Sequence, residues 1–291
     1  MAGADAQAII ENAARWRAIN TLVAAPLALW LLIVAGNAAF TAVIESGIVA
    51  NSERTVVGVF TVLLYGGMLV CGWIGGRLFG AKPLSPGTRR GRAFAVGSAL
   101  GGLGMLTGLA ACFLGNAVVL GEGSPLPGLV LAGLMLSVLQ VLAEEVVFRG
   151  WVQPVLVSAW GSACGVGLSS LAFAVLHLAG GAEGLLTIAN LFLGGLVMGL
   201  LALRTGGILA PFAFHYVWNV SEESLFGLVP NPGSPVFGSF LDLDLSGPQW
   251  LGGGPQGLNA SLAMTAALAV ILGIILFAGS RDRSERSPAA A

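Results

Sequence analysis

Long apolar runs, each closed by a short polar or Gly/Pro-containing joint, set the pattern of hydrophobic and polar positions along the chain. Eight such segments can be drawn, at about 18–43, 56–79, 93–120, 127–158, 161–180, 185–203, 207–228 and 258–279. An α-helix needs about 20 apolar residues to cross a bilayer core. The pattern therefore predicts an all-α, polytopic membrane protein with about eight transmembrane helices. The fourth segment is too long for an upright span and is expected to tilt or to project past the membrane face. Lys82-Pro83-Leu84-Ser85-Pro86-Gly87, Gly121-Glu122-Gly123-Ser124-Pro125 and Ala179-Gly180-Gly181 mark joints. A longer polar, Gly/Pro-rich loop covers about 229–257. The expected organisation is an N-terminal cytoplasmic segment over 1–17, a transmembrane domain over 18–280, and a charged, disordered cytoplasmic tail over 281–291. Asp5 and Glu11 beside Arg15 and Arg17, and the length of the run that follows, favour a retained first span over a signal peptide.

Composition supports the membrane reading. Of the 291 residues, 56% are hydrophobic and 9% charged, and the mean hydropathy is +0.89. Soluble domains carry about 25% charged residues, so this chain cannot cover a soluble surface of its size. No basic stripe suggests a nucleic-acid partner; the expected partners are membrane lipid and a peptide or membrane-protein substrate. Cys71, Cys112 and Cys164 are scattered through apolar segments and read as small packing residues. With the N-terminus in the cytoplasm, 11 of the 13 Lys and Arg fall at or near the inner face. The positive-inside rule then places both termini inside, in a cytoplasmic (plasma) membrane. Gly97-x-x-x-Gly101, Gly104-x-x-x-Gly108 and Gly195-x-x-x-Gly199 are expected to let helices of this chain approach closely.

Against this background, three polar signatures stand out: Glu144-Glu145-x-x-x-Arg149, Phe173-x-x-x-His177 and His215-x-x-x-Asn219. Ionisable groups are costly inside a bilayer and mark functional sites there. On a helix Glu145 and Arg149 share a face and can pair, while Glu144 points elsewhere with no counter-charge on its own face. Glu144 is thus the candidate general base, and Glu145 and Arg149 are supporting residues. A turn near Trp160-Gly161-Ser162 puts Glu144 17 residues before Gly161 and His177 16 residues after it. An antiparallel hairpin then brings the two to the same height, about 24–26 Å from the turn. Phe173, one turn before His177, can wall its imidazole. His215 and Asn219 share a helix face and can each offer a hydrogen-bond donor to a developing oxyanion. Counting from Arg204, this site is expected nearer the cytoplasmic side, with the four–five hairpin protruding about 10 Å. Glu222 and Glu223 are expected near solvent at the outer end of segment seven.

These motifs resemble those of the CPBP family of intramembrane proteases, which includes the type II CAAX prenyl endopeptidases and bacterial proteins known as abortive-infection or bacteriocin-immunity proteins. Glu144-Glu145-Val146-Val147-Phe148-Arg149-Gly150 is similar to its first motif, Phe173-Ala174-Val175-Leu176-His177 to its second, and His215-Tyr216-Val217-Trp218-Asn219 to its third. The similarity covers about 127–225. The resemblance implies a membrane-embedded endopeptidase in which Glu144 and His177 activate water and His215 and Asn219 stabilise the oxyanion, with no metal cofactor. Two other readings use the same residues. Two His and one Glu are a legitimate zinc set, as in a zinc-dependent intramembrane metalloprotease. A membrane immunity or scaffold protein, or a transporter, could keep a polar network without hydrolysis.

Overall fold

The structure, a computed structural model, describes residues 2–49, 52–121, 127–230 and 235–286. Eight helices follow the apolar segments: α1 (Ala2–Glu45), α2 (Glu53–Leu78), α3 (Arg90–Leu114), α4 (Val130–Glu145), α5 (Gln153–Ala179), α6 (Leu185–Thr205), α7 (Leu209–Val220) and α8 (Leu262–Arg286). A two-stranded antiparallel ribbon, β1 (Val118–Leu120) with β2 (Leu243–Leu245), is a minor addition to this all-α membrane fold. Residues 122–125 of the second joint lie outside the described residues. Helix α1 begins at Ala2, so the N-terminal segment is helical and continuous with the first apolar segment. At the other end α8 runs through Arg286, past the expected start of the tail; residues 287–291 lie outside the described residues.

Among the described residues, six helical stretches are long and apolar enough to cross a membrane. Two features reconcile six with eight. Val130–Ala179 is one helical stretch of 50 residues, yet it folds back at Gly161, whose φ of 79° and ψ of 170° are not helical. A left-handed φ of this kind is open to glycine at little cost. Phe148 then faces Ser169 and Phe173 across the hairpin: the Ser169 hydroxyl donates to the Phe148 carbonyl, and the two rings meet edge to face at 5.3 Å. The second feature is α7, which has only 12 residues before it widens into a π-helical turn, Ser221–Leu225.

The outer helices show why the bundle belongs in lipid. On α1 the buried positions Ala18, Thr21, Ala25 and Leu29 form one stripe at helical spacing, against α2 and the hairpin. Its remaining faces expose Leu22, Val23, Leu27, Trp30, Leu31 and Val34. Water would penalise that surface, whereas lipid tails do not.

The inner packing uses small residues. Gly97 and Gly101 on α3 sit against the carbonyls of Ala210 and Phe214, and Gly104 against the Trp218 ring, so a side chain at any of them would collide with α7. Gly72 and Gly75 on α2 receive Val147 and Trp151 from a second π-helical turn, Val146–Val152, which joins α4 to α5. The glycine spacings of the sequence thus serve contacts within the chain.

One end of the bundle collects the basic connections. The Thr88 amide donates to the Thr205 carbonyl and the Ile208 amide to the Ser85 carbonyl, which ties the 82–89 joint to the α6–α7 turn. Arg17 lies over Gly80 at the same end. Gly150 packs against Pro83 there, and the rest of the hairpin continues beyond it to Gly161.

Candidate active site

Five side chains of the three signatures, from three parts of the chain, converge on one cavity of about 210 Å³. Glu144 comes from the last turn of α4, Phe173 and His177 from the end of α5, and His215 and Asn219 from α7. All the residues of the three sequence signatures are either in the lining or directly behind it. Glu144 and Asn219 sit next to π-helical turns and His177 near the end of α5, whereas His215 lies in the middle of α7. π-Helical turns are frequent at functional sites because the extra residue per turn shifts side-chain directions.

Behind the cavity wall lies a fully enclosed network. The Arg149 guanidinium donates through Nη1 to Glu145 Oε1 at 3.2 Å and through Nη2 to the Gly195 carbonyl at 3.2 Å. It also stacks over the Phe173 ring, 4.7 Å from its centre. Glu145 is 0% exposed and Arg149 4%. The same Glu145 oxygen lies 3.0 Å from His215 Nδ1. A carboxylate held by a guanidinium can only accept, so Nδ1 carries the proton in this contact. His215 Nε2 is turned towards Glu144, 3.9 Å from its Oε2. Glu145 therefore does more than neutralise Arg149: it orients the His215 ring. A neutral His215 would offer a lone pair at Nε2. It donates there only when it carries both protons, a requirement that the spacing of His215 and Asn219 could not reveal.

His177 is fixed in a different way. Its Nδ1 lies 2.8 Å from the Phe173 carbonyl of its own helix. A carbonyl accepts only, so Nδ1 again holds a proton and Nε2 of the neutral ring is left as an acceptor. Phe173 separates the two imidazoles, with ring centres 4.5 Å from His177 and 6.0 Å from His215. Glu144 is 4% exposed, and its Oε2 is buried without a hydrogen-bond partner among the described residues.

Two expectations need correction. Glu222 and Glu223 are not at a solvated end. They line the same cavity, and Glu222 is 5% exposed, because the π turn after α7 folds them inward. The depth also differs. The cavity reaches Gly180, Ala182 and Asn259, at the end of the bundle opposite the basic connections. The reason is that α5 ends two residues after His177, whereas the hairpin spends its excess length at the other end.

Tyr65 on α2, Thr187 on α6 and Asn259 before α8 also line the cavity; the sequence reading passed over them. Thr187 had a signal, a polar residue in an apolar helix. The nearby Asn190 is buried too, and its amide donates to the carbonyls of Asn259 and Ser261, which fixes the wall formed by α6 and the approach to α8. A second cavity of about 400 Å³, lined by Leu29, Ile33, Phe60, Leu64 and Met68 among others, shares Tyr65, Glu144 and His177 with the first. Among the described residues, no three His, Cys, Asp or Glu side chains come together as a metal-ligand set. His215 in particular commits Nδ1 to Glu145.

A bundle of apolar helices around a cavity lined by Glu, His and Asn defines a multi-pass membrane protein with a polar site inside its helical core. Residues 126–221 match the family described as Type II CAAX prenyl endopeptidase Rce1-like. The chain is also 36% identical over 92 residues to an uncharacterized 24.3 kDa protein of Escherichia coli; the shared segment is 31% of this chain and 42% of that relative's length. No solved structure matches the chain.

Proposed function

We propose that this protein is an intramembrane endopeptidase that hydrolyses a peptide bond without a metal ion or an acyl-enzyme. The observation that supports it most is the convergence of Glu144, His177, His215 and Asn219 on one cavity, with both imidazoles held by hydrogen bonds through Nδ1. Glu144 takes a proton from water while His177 Nε2 accepts the second hydrogen bond of that water. The hydroxide adds to the scissile carbonyl. Asn219 Nδ2 and doubly protonated His215 Nε2 donate to the oxyanion. Glu144 then returns its proton to the leaving amine, so the cycle closes with both peptide products released. The adjoining apolar cavity suits an apolar segment of the substrate that arrives from the lipid side.

The test is steady-state cleavage of a reporter peptide by purified protein in nanodiscs, prepared and assayed in strong chelator. Activity is expected to persist. Asn219→Ala is expected to lower kcat by about 10²–10³ with KM little changed, as for loss of one oxyanion donor. A rise in KM alone would make Asn219 a substrate-binding group. Activity that vanishes with chelator and returns with stoichiometric zinc would replace this mechanism by a zinc one.

We further propose that the basic end of the bundle faces the cytoplasm, with both termini inside. A reporter fused after Ala291 or inserted at the exposed Gly91 should read cytoplasmic, and one inserted at the exposed Gly247 extracytoplasmic. Like readings at Gly91 and Gly247 would overturn this arrangement.

A further inference from the structure

The proposed hydrolysis uses one carboxylate of the cavity, yet among the described residues three line it. Glu222 and Glu223 follow Asn219 by three and four residues and line the same space. Glu222 is enclosed, and its Oε1 has no hydrogen-bond partner among the described residues. The Trp218 indole, one turn earlier, hydrogen-bonds its carboxylate. Glu223 interacts with His215 and, like Glu144, with Tyr65 across the cavity.

Two extra carboxylates beside an oxyanion site oppose the negative charge that hydrolysis builds there. Placing them inside a membrane bundle is costly unless a cation faces them. Among the described residues the lining contains no Lys or Arg. Arg149, behind the wall, is already committed to Glu145 and Gly195. The imidazoles of His177 and His215, which line the same cavity, are committed to the water and the oxyanion in the proposed hydrolysis, so a counter-charge for the Glu222–Glu223 pair fits best as part of a ligand.

We propose that Glu222 and Glu223 form a cation-binding subsite that takes a lysine or arginine side chain of the substrate; the substrate's role rests on the endopeptidase reading above. One helical turn separates the pair from Asn219, about 5 Å along the axis. An extended peptide rises about 3.3 Å per residue, so the basic residue lies within about two positions of the scissile bond.

The experiment compares three peptides capped at both ends and identical except for lysine, norleucine or glutamate beside the scissile bond. Binding is measured by fluorescence anisotropy to full-length protein in nanodiscs carrying Glu144→Gln, so that peptides survive. The lysine peptide is expected to bind about tenfold more tightly than norleucine, the scale of one charge-assisted contact, and the glutamate peptide more weakly than either. Adding Glu222→Gln and Glu223→Gln should bring lysine and norleucine to equal affinity. Equal binding of all three peptides to the parent, which needs no subsite variant to fold, would overturn the proposal. So would a lysine preference that survives both substitutions in monodisperse protein. Cleavage by protein with Glu144 intact separates the two readings. If the binding order holds and no peptide is cut, the endopeptidase fails and the subsite stands. If lysine and norleucine peptides are cut and bound equally well, the subsite fails and the endopeptidase stands.

Discussion

Glu144→Gln is expected to lower kcat by about 10²–10⁴, the range for loss of a general base, while the protein stays folded and membrane-inserted. The substitution keeps the shape of the side chain but removes the basic oxygen. Glu144 Oε2 is the buried atom without a protein partner, and it faces His215 Nε2 at 3.9 Å. No structural hydrogen bond in the described part of the site is broken by changing it, so stability should move little. Measurement of kcat alongside the thermal unfolding midpoint decides the matter. A purified Glu144→Gln protein with wild-type turnover would remove Glu144 as the base. Full physiological function after Glu144→Ala would instead favour a non-enzymatic scaffold or immunity protein.

The second large effect is expected at Arg149, and it should appear in stability before activity. Arg149→Met fills much of the same space but takes away the cation. Glu145 would then keep only His215 as a partner, the Gly195 carbonyl would lose its donor, and the stacking on Phe173 would go. Breaking one side of an enclosed ion pair costs about 3–5 kcal/mol. Reversible unfolding in detergent micelles should show a loss of this size. The double replacement Arg149→Met with Glu145→Leu should recover part of it, since no lone charge is left inside. A single Arg149→Met variant within about 0.5 kcal/mol of the parent, the usual bound for a surface change, would mean that the network is not structural.

These two neighbours show how unequal the effects of adjacent residues can be. Helical periodicity alone separates Glu144 from Glu145, because consecutive residues point about 100° apart. What it could not show is that His215 bridges them, Nδ1 to one carboxylate and Nε2 towards the other. That contact joins residues 70 apart in the chain, and it turns Glu145 from a counter-ion into the group that sets the imidazole's orientation.

The sequence by itself determined the helices and the hairpin. Apolar runs of this length cannot be satisfied in water, and backbone groups in lipid must pair within their own helix. Gly161 marked the reversal, because the chain folds back there with a φ that glycine adopts freely. The three polar signatures were also legible, since an ionisable group in such a run stands out against its neighbours. Only the tertiary structure decided where they meet. The π turns at Val146–Val152 and Ser221–Leu225 have no compositional signature, yet the second of them brings Glu222 and Glu223 inward. The depth of the cavity depended on how far the hairpin extends beyond Pro83 and on where α5 stops. Periodicity fixes which residues share one helix face. The crossing and relative height of separate helices follow from packing, as when Gly97 and Gly101 let α7 approach α3 closely, and that information lies in pairs of residues far apart in the chain.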